Sequence, residues 1–587
     1  MPRKLVAEAW RRLRTPGVPL GLILAGVVGV GAGLGAVLFR WLIATFQGLF
    51  FGGGRELLGF LGQYYVILVP AAGGLLVGLI VNYFAKEAKG HGVPEVMLAV
   101  AAKGGRIRPR VAAAKILASA VCIGSGGSVG REGPIVQIGS ALGSTVGQLL
   151  RLPTVWLRTL VGCGASAGIS ATFNAPLGGC FFTMELLFRS FATKGFAFVV
   201  VSAVAGNLVA LAFLGNSPAF VVGNYALADA REMLLYVGLG VLTGLVGVAF
   251  IKTIHFSENL FEAIRRIPEW VKPVIGGLIV GCIGLYSPDL FGVGYGKTPW
   301  VGHASIDNVL AGEIPLKVLL VLVLLKLLAT STTIGSGGSG GVFAPSLFLG
   351  AMTGGIVGLA AARFFPGSPT GEGAYALVGA AALFAGVARA PITSVVMIFE
   401  LTRNYALILP VMTTVVVCTG IVRLLSRETI YTEKLIRRGI DLQKMGRARL
   451  VAGVRVGDVM TVDFPTVPGA MSLADLAARF HDTGHHGFPV LDSKGKLCGV
   501  VTLSDLREAE QLIGHEALVV ADICSRSLLT AYPDETVGDV LSRAAESNFG
   551  RIPIVDPDDE GRLLGVLRRT SLVEAWHHAI ERGEELI

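Results

Sequence analysis

IGSGGSVGREGP runs from Ile123 to Pro134, and its first six letters return in IGSGGSGGVFAP from Ile334 to Pro345. The likeness continues past the loops, because Gly139, Gly143 and Gly147 match Gly350, Gly354 and Gly358 in the later copy. A second matched pair follows in the same order. Asn174-Ala175-Pro176 stands nine residues before Glu185, counted from the proline, and Arg389-Ala390-Pro391 stands the same nine before Glu400. Two halves of about two hundred residues with matched, interrupted apolar segments are what a duplicated transporter core looks like in sequence.

The composition agrees. Of 587 residues 52% are hydrophobic and 16% charged, with 80 glycines and a mean hydropathy of +0.66. Soluble proteins carry about 25% charge, so this chain is read as a membrane protein. Charge thickens after Ser426, which predicts a soluble tail. Apolar stretches of spanning length are predicted near 19–50, 62–85, 196–214, 233–254, 272–287, 316–333, 374–400 and 406–425. Several are broken by Gly or Pro, which lipid tolerates only where backbone is buried in protein or lines a polar path.

Arg3, Lys4, Arg11, Arg12 and Arg14 near the start, without a small-residue cleavage pattern, predict a retained cytoplasmic N-terminus. The net charge of +9 is assigned to loops, Lys103 to Arg110 and Arg423 to Arg449, and not to nucleic acid. Seven cysteines without a CxxC pair read as packing thiols, so neither disulfides nor a metal site is expected.

The tail holds a repeat of its own. Residues 454–510 and 518–575 each alternate short β-rich runs (FPVLD and LCGVVT; RIPIV and LLGVL) with an amphipathic helical pattern, SLADLAARFHDTG or TVGDVLSRAAESN. This is a duplicated small α/β module.

A Gly-rich run before a helix offers backbone N–H groups to an anion, aided by about half a positive charge from the aligned peptides. Neither run is a P-loop, since Gly130 is followed by Arg131 and Glu132 where GxxxxGK[ST] needs Lys. What remains is a dehydrated anion held between helix N-termini, or glycines that only let helices pack closely.

GREGP at 130–134, GVFAP at 341–345, KGHGVPE at 89–95 and Tyr431 in ETIYTEK come in the order of the anion-pathway motifs of the CLC family of chloride channels and chloride/proton antiporters, which residues 15–440 resemble. The tail resembles a pair of CBS domains. The resemblance implies an all-α polytopic membrane domain with inverted-topology repeats over 1–440, a linker at 441–453, and a soluble α/β CBS-domain pair at 454–512 and 513–587. It also implies site roles. Glu132 takes the place of the gating glutamate, whose carboxylate competes with the anion; its alternative is a salt bridge to Arg131. Gly130, Arg131 and Gly133 flank it. The amides of Val342 and Phe343, with Ala344 beside them, match those that hold the central anion, and the Tyr431 hydroxyl points at the same ion unless it is an interfacial belt residue. Lys115 and Arg131 match buried cations that raise the local potential, or serve only as pairing partners.

The chain departs from the family pattern twice. His91 stands where chloride-selective members usually carry Ser and nitrate-preferring ones Pro; a neutral imidazole donates one N–H to an anion, and the alternative is a helix cap. Leu186 stands where coupled antiporters usually have a second glutamate after Glu185, and leucine carries no proton. The sequence reading is therefore a channel-like chloride path, with a proton-coupled antiporter as the alternative.

In the tail, Thr502 and Asp505 fit a Thr-x-x-Asp that holds the ribose phosphate of an adenine nucleotide, whereas the second copy has Arg568 and Ser571 there. A divalent-cation transporter would need clustered membrane acids, and only Glu132, Glu185 and Glu400 stand out. A membrane enzyme would need a nucleophile beside a base, and no histidine of the apolar part has an evident partner. Family membership further implies a homodimer; a bacterial inner membrane with cytoplasmic CBS domains is expected from the compact loops.

Overall fold

The computed structural model describes residues 17–191, 193–216, 220, 229–293, 305–364, 371–440, 454–511, 517–544 and 551–568. The expected linker at 441–453, Ser571 and the basic N-terminal residues lie outside these. The chain divides into two units, residues 1–442 and 443–586.

The first unit is helical, as a lipid solvent demands, since a helix satisfies its own backbone. Its principal helices are α1 (Val18–Gln47), α2 (Tyr65–Tyr83), α3 (Val93–Ala101), α4 (Pro109–Gly124), α5 (Glu132–Leu149), α6 (Thr154–Phe173), α7 (Pro176–Phe182) and α8 (Thr193–Leu214). After these come α9 (Met233–Ala263), α10 (Lys272–Tyr286), α11 (Leu316–Gly335), α12 (Phe343–Phe364), α13 (Gly371–Ala388), α14 (Pro391–Thr402), α15 (Ile408–Leu425) and the short α16 (Glu433–Arg437). Among the described residues, seven segments are long and apolar enough to cross a membrane. One of them, α12, was not expected, because its glycines dilute the apolar signal. The stretch 374–400 is not one span: Arg389 takes a φ of 55° and Pro391 starts a new helix, so α13 and α14 are separate.

The repeated glycines are explained by helix crossings at backbone contact. A Cβ on Gly139 or Gly143 of α5 would overlap the carbonyls of Gly164 and Leu160 in α6. In the second half a Cβ on Gly350 or Gly354 of α12 would overlap those of Gly379 and Tyr375 in α13. The two halves thus share one device, close crossings built from small residues.

They are also tied to each other. Glu400, near the end of α14, accepts hydrogen bonds from the amides of Leu177 (2.9 Å) and Gly178 (2.6 Å) at the start of α7. Reciprocally, Glu185 accepts from the amides of Ile392 (3.2 Å) and Thr393 (2.7 Å) and from Thr393 Oγ1 (2.6 Å) at the start of α14. Each repeat caps the other's half-helix, satisfying orphan donors and the positive end of the dipole. Asn174 and Arg389, both at φ 55°, turn the chain into these helices in the two copies. Glu185→Ala and Glu400→Ala are each expected to cost about 1.5–3 kcal/mol, the worth of a charged hydrogen-bonding group. The check is the melting midpoint of detergent-solubilised protein; no drop for either variant would mean the caps contribute nothing.

The second unit holds two small sheets. In the first, β1 (Val467–Pro468) runs parallel to β2 (Gly487–Leu491), which pairs antiparallel with β3 (Leu497–Thr502). The second is the hairpin of β4 (Arg551–Val555) and β5 (Leu563–Arg568). Helix α17 (Leu473–Thr483) buries Leu473, Leu476 and Phe480 along one stripe, is capped by the Ser472 hydroxyl and stops at Gly484, φ 63°. Helices α18 (Leu503–Ala509) and α19 (Val537–Ala544) complete the described part. The modules interlock: Val454, Val456 and Val459 pack with Val537, Val540 and Ile552, while Val520 and Val566 pack with Phe464 and Phe488.

Candidate functional site

Three loops meet in the buried interior of the membrane unit and pair through their backbones. Gly130 and Gly341 exchange two hydrogen bonds, N to O, of 2.7 and 2.5 Å. Gly90 N donates to Gly338 O at 2.9 Å, and Gly340 N to Gly90 O at 3.3 Å. This ladder sets the N-terminal ends of α3, α5 and α12 side by side, so three helix dipoles present their positive ends to one region. Gly133 permits it, because a Cβ there would strike the His91 carbonyl.

Glu132 begins α5 and is 3% exposed. Its Oε2 lies 3.4 Å from the Ala344 amide, a long hydrogen bond to the start of α12. A Cβ on Gly130 would overlap that oxygen, and one on Gly341 would come within 3.2 Å. The carboxylate is thus folded over two glycines onto the Ala344 amide, next in the chain to the two residues whose amides the motif assigns to an anion. Val342, Phe343 and Ala344 are buried there, with the Phe343 ring 4.3 Å from Phe384 and 5.1 Å from Phe173, centroid to centroid.

Tyr431 is 2% exposed and is not an interfacial belt residue. Its segment is held by Ile430 N donating to Val387 O at 3.1 Å. The His91 ring stands edge-on to Tyr431 with centroids 6.1 Å apart. His91 is 1% exposed and neither ring nitrogen has a hydrogen-bond partner, so the ring does not cap α3. Lys115 is buried, and its Nζ donates to the carbonyls of Ala88 (2.9 Å) and Gly90 (2.6 Å), the loop that carries His91. Ser339 Oγ also donates to Ala88 O, at 2.7 Å, and meets Ser119 Oγ at 2.8 Å. Arg131 precedes α5 as its N-cap residue.

The apolar part departs from the sequence expectation in two ways. The apolar part does contain a histidine with partners: His255 on α9 has Nδ1 3.3 Å from Glu258 Oε2 and Nε2 2.9 Å from Glu433 Oε2. Beside Glu132 and the half-buried Glu185 and Glu400, the described residues also bury the acids Glu232, Glu258 and Asp289. His255 and Glu258, one turn apart, lie just past the apolar stretch 233–254, on the polar end by which α9 outlasts it.

In the tail, Thr502 and Asp505 meet each other. Asp505 Oδ2 accepts from Thr502 N (2.7 Å) and Oγ1 (2.8 Å), and Asp505 N donates back to Thr502 Oγ1 (3.3 Å), a capping box that starts α18. The register β4–β5 pairs Arg551 with Arg568 where β2–β3 pairs Gly487 with Thr502. The Arg568 guanidinium lies 5.8 Å from the Phe464 ring centroid. Burial, helped by the Arg568 charge, lowers the pKa of Arg551.

A family model described as voltage gated chloride channel matches residues 73–423, and one described as CBS domain matches 456–511 and 520–578. A chloride channel protein of Ralstonia nicotianae, named as ClcB-like, is 32% identical over 431 residues, 72% of this chain and 98% of that protein. The H(+)/Cl(-) exchange transporter ClcA of Yersinia pestis is 33% identical over 465 residues, covering 76% of this chain and 93% of its own. Among solved structures, a slow cyanobacterial Cl-/H+ antiporter superposes with a TM-score of 0.64 at 25% identity over 72% of this chain and 98% of its own. A eukaryotic CLC transporter, at 21% identity and a TM-score of 0.59, shares the fold over 94% of this chain and 97% of its own.

Proposed function

Because this chain belongs to the voltage gated chloride channel family and is a membrane-embedded chloride transporter, we propose that chloride passes through the convergence of α3, α5 and α12 and that Glu132 closes it. The observation that carries this is the Glu132 carboxylate lying over Gly130 and Gly341 against the Ala344 amide. A negative side chain there competes with a negative ion for the same donors. When the carboxylate leaves, the amides of Val342, Phe343 and Ala344 and the Tyr431 hydroxyl take the ion, replacing its water with N–H and O–H groups. Gly130 and Gly133 leave room, while Arg131 and Lys115 add positive charge, Lys115 by way of the loop it holds.

The mode of transport turns on whether protons reach Glu132 from the side bearing Tyr431. Leu186 closes one route, and Glu185 is committed to capping α14, so passive flow follows if no other ionisable chain exists. Exchange is the second reading, favoured by the likeness to an exchanger in ClcA. The experiment is chloride efflux from reconstituted vesicles with a chloride gradient imposed and external pH recorded. Absence of chloride efflux would end the proposal.

His91 sets anion preference in this reading. A buried ring N–H without a protein acceptor costs about 1–3 kcal/mol unless the passing ion accepts it, and His91 has none. His91→Ser is expected to shift the chloride-to-nitrate permeability ratio about fivefold or more, by that free energy. An unchanged ratio and an unchanged pH response would remove His91 from the site.

Around this core we place a homodimer in a bacterial inner membrane, with the CBS pair in the cytoplasm. An adenine nucleotide bound at the CBS pair would meet Thr502 and Asp505, whose Oδ1 the capping box does not use, with Arg568 for a phosphate.

A further inference from the structure

We infer that His255 and Glu258 of α9 form a proton route between the solvent at α16 and the anion site, replacing the acid that position 186 lacks. The inference rests on Glu132 as the gate and decides how that gate receives protons.

Both groups are buried, His255 at 3% and Glu258 at 9% exposure, on the inner face of the last turns of α9, whose outer face there carries the exposed Lys252, Asn259 and Glu262. Ionisable groups in such a place are costly unless paired or used. Their contacts form a series. Glu433, on α16 two residues past Tyr431, keeps 27% of its side chain exposed and touches His255 Nε2. That contact lies off the ring's N–H direction, so Nε2 is close to an acid without being locked to it. The other ring nitrogen faces Glu258. Glu258 lies within charge range of His91, and His91 stands against Tyr431, which lies within charge range of Glu132.

An imidazole between two carboxylates is suited to relaying a proton, since it accepts on one nitrogen and releases from the other. A proton bound by Glu433 passes to Nε2 as the Nδ1 proton leaves for Glu258, and exchange of the ring tautomer resets His255. Glu258 passes its proton to His91 by way of water, and His91 to the Glu132 carboxylate when that carboxylate swings from the anion path. One proton is displaced, and no other bond changes.

The charges facing this series come from several elements. Lys434 and Arg437 stand on α16, with Arg437 bonded to Glu433. Arg438, just beyond, is paired with Glu95 of α3. Lys434 lies within charge range of Glu258, Glu95 and His91, and Lys115 within range of His91. Lys89 lies within range of Lys434 and is itself paired with Glu269.

The test uses the full chain in vesicles, with a chloride electrode and a pH electrode read together. Wild type is expected to take up protons uphill as chloride runs down its gradient. Glu258→Gln is expected to retain chloride flux within about twofold while proton uptake falls about tenfold or more, as for loss of a positioned acid–base group. His255→Gln should do the same, and Glu258→Asp should restore part of the uptake. Uphill uptake that is absent in wild type, or unchanged in both Glu258→Gln and His255→Gln, overturns the route. Should Glu258→Gln not fold, His255→Gln and Glu258→Asp decide alone. The gate reading fails separately, if Glu132→Ala leaves chloride and proton movement as in wild type.

Discussion

Glu132→Ala is expected to raise chloride flux at neutral pH about tenfold or more and to make it independent of pH. The reason is the position of the carboxylate. It lies at the start of α12, 3.4 Å from the Ala344 amide, where a permeating anion would find its donors. A hydrogen bond to a charged group is worth about 1.5–3 kcal/mol, and each 1.4 kcal/mol is about tenfold in occupancy. Removing the competitor frees the amides by that factor. The sign with pH follows: the ionised carboxylate blocks and the protonated one releases, so wild-type flux rises as pH falls. Glu132→Ala lacks the titrating group and is flat at the high level, as is Glu132→Gln. A variant that keeps wild-type rate and pH profile would mean that this carboxylate is structural.

Gly143→Leu, and separately Gly354→Leu, are expected to yield no folded protein. A side chain at either place meets a helical backbone carbonyl, of Leu160 or Tyr375. A carbonyl inside a helix cannot step aside unless the whole helix moves, which would pull α6 from α5 or α13 from α12. Overpacking a core costs about 1–3 kcal/mol even where neighbours can yield. Here they cannot, so the loss is larger and is drawn from the about 5–15 kcal/mol that keeps a domain folded. Gly31→Leu on α1 is the control, because nothing lies within 4 Å of a Cβ there. Gel filtration in detergent should show dispersed protein for the control and aggregate for the other two. A sharp peak for Gly143→Leu would mean that the α5–α6 crossing is not held by backbone contact.

Much of this was legible in the chain. The doubled glycine loops, the paired prolines and the acids nine residues beyond them announced two matched halves. Polarity alone separated the tail, and the alternating runs in it predicted the strands that formed. The residues proposed for the anion path, Glu132, Val342 and Phe343 on those loops and His91 and Tyr431 outside them, could be named from motif order. Hydropathy failed at α12, where the glycines needed for close packing hid a helix, and at 374–400, where a continuous apolar reading passed over the break at Arg389. Glu185 and Glu400 were recognised as a matched pair, yet that each caps the other half's helix could not be read from spacing.

The amino-acid order by itself determined the membrane class, the duplication, the soluble tail and which loops bear chemistry, because each of these is a property of neighbours along the chain. Only the tertiary structure decided that Gly130 bonds Gly341, that Glu132 folds onto the Ala344 amide, that Thr502 and Asp505 satisfy each other, and that His255 lies between Glu258 and Glu433. These are pairings across tens to hundreds of residues or choices among rotamers. They are settled by how closely helices approach, and by the cost of leaving a buried polar group without a partner.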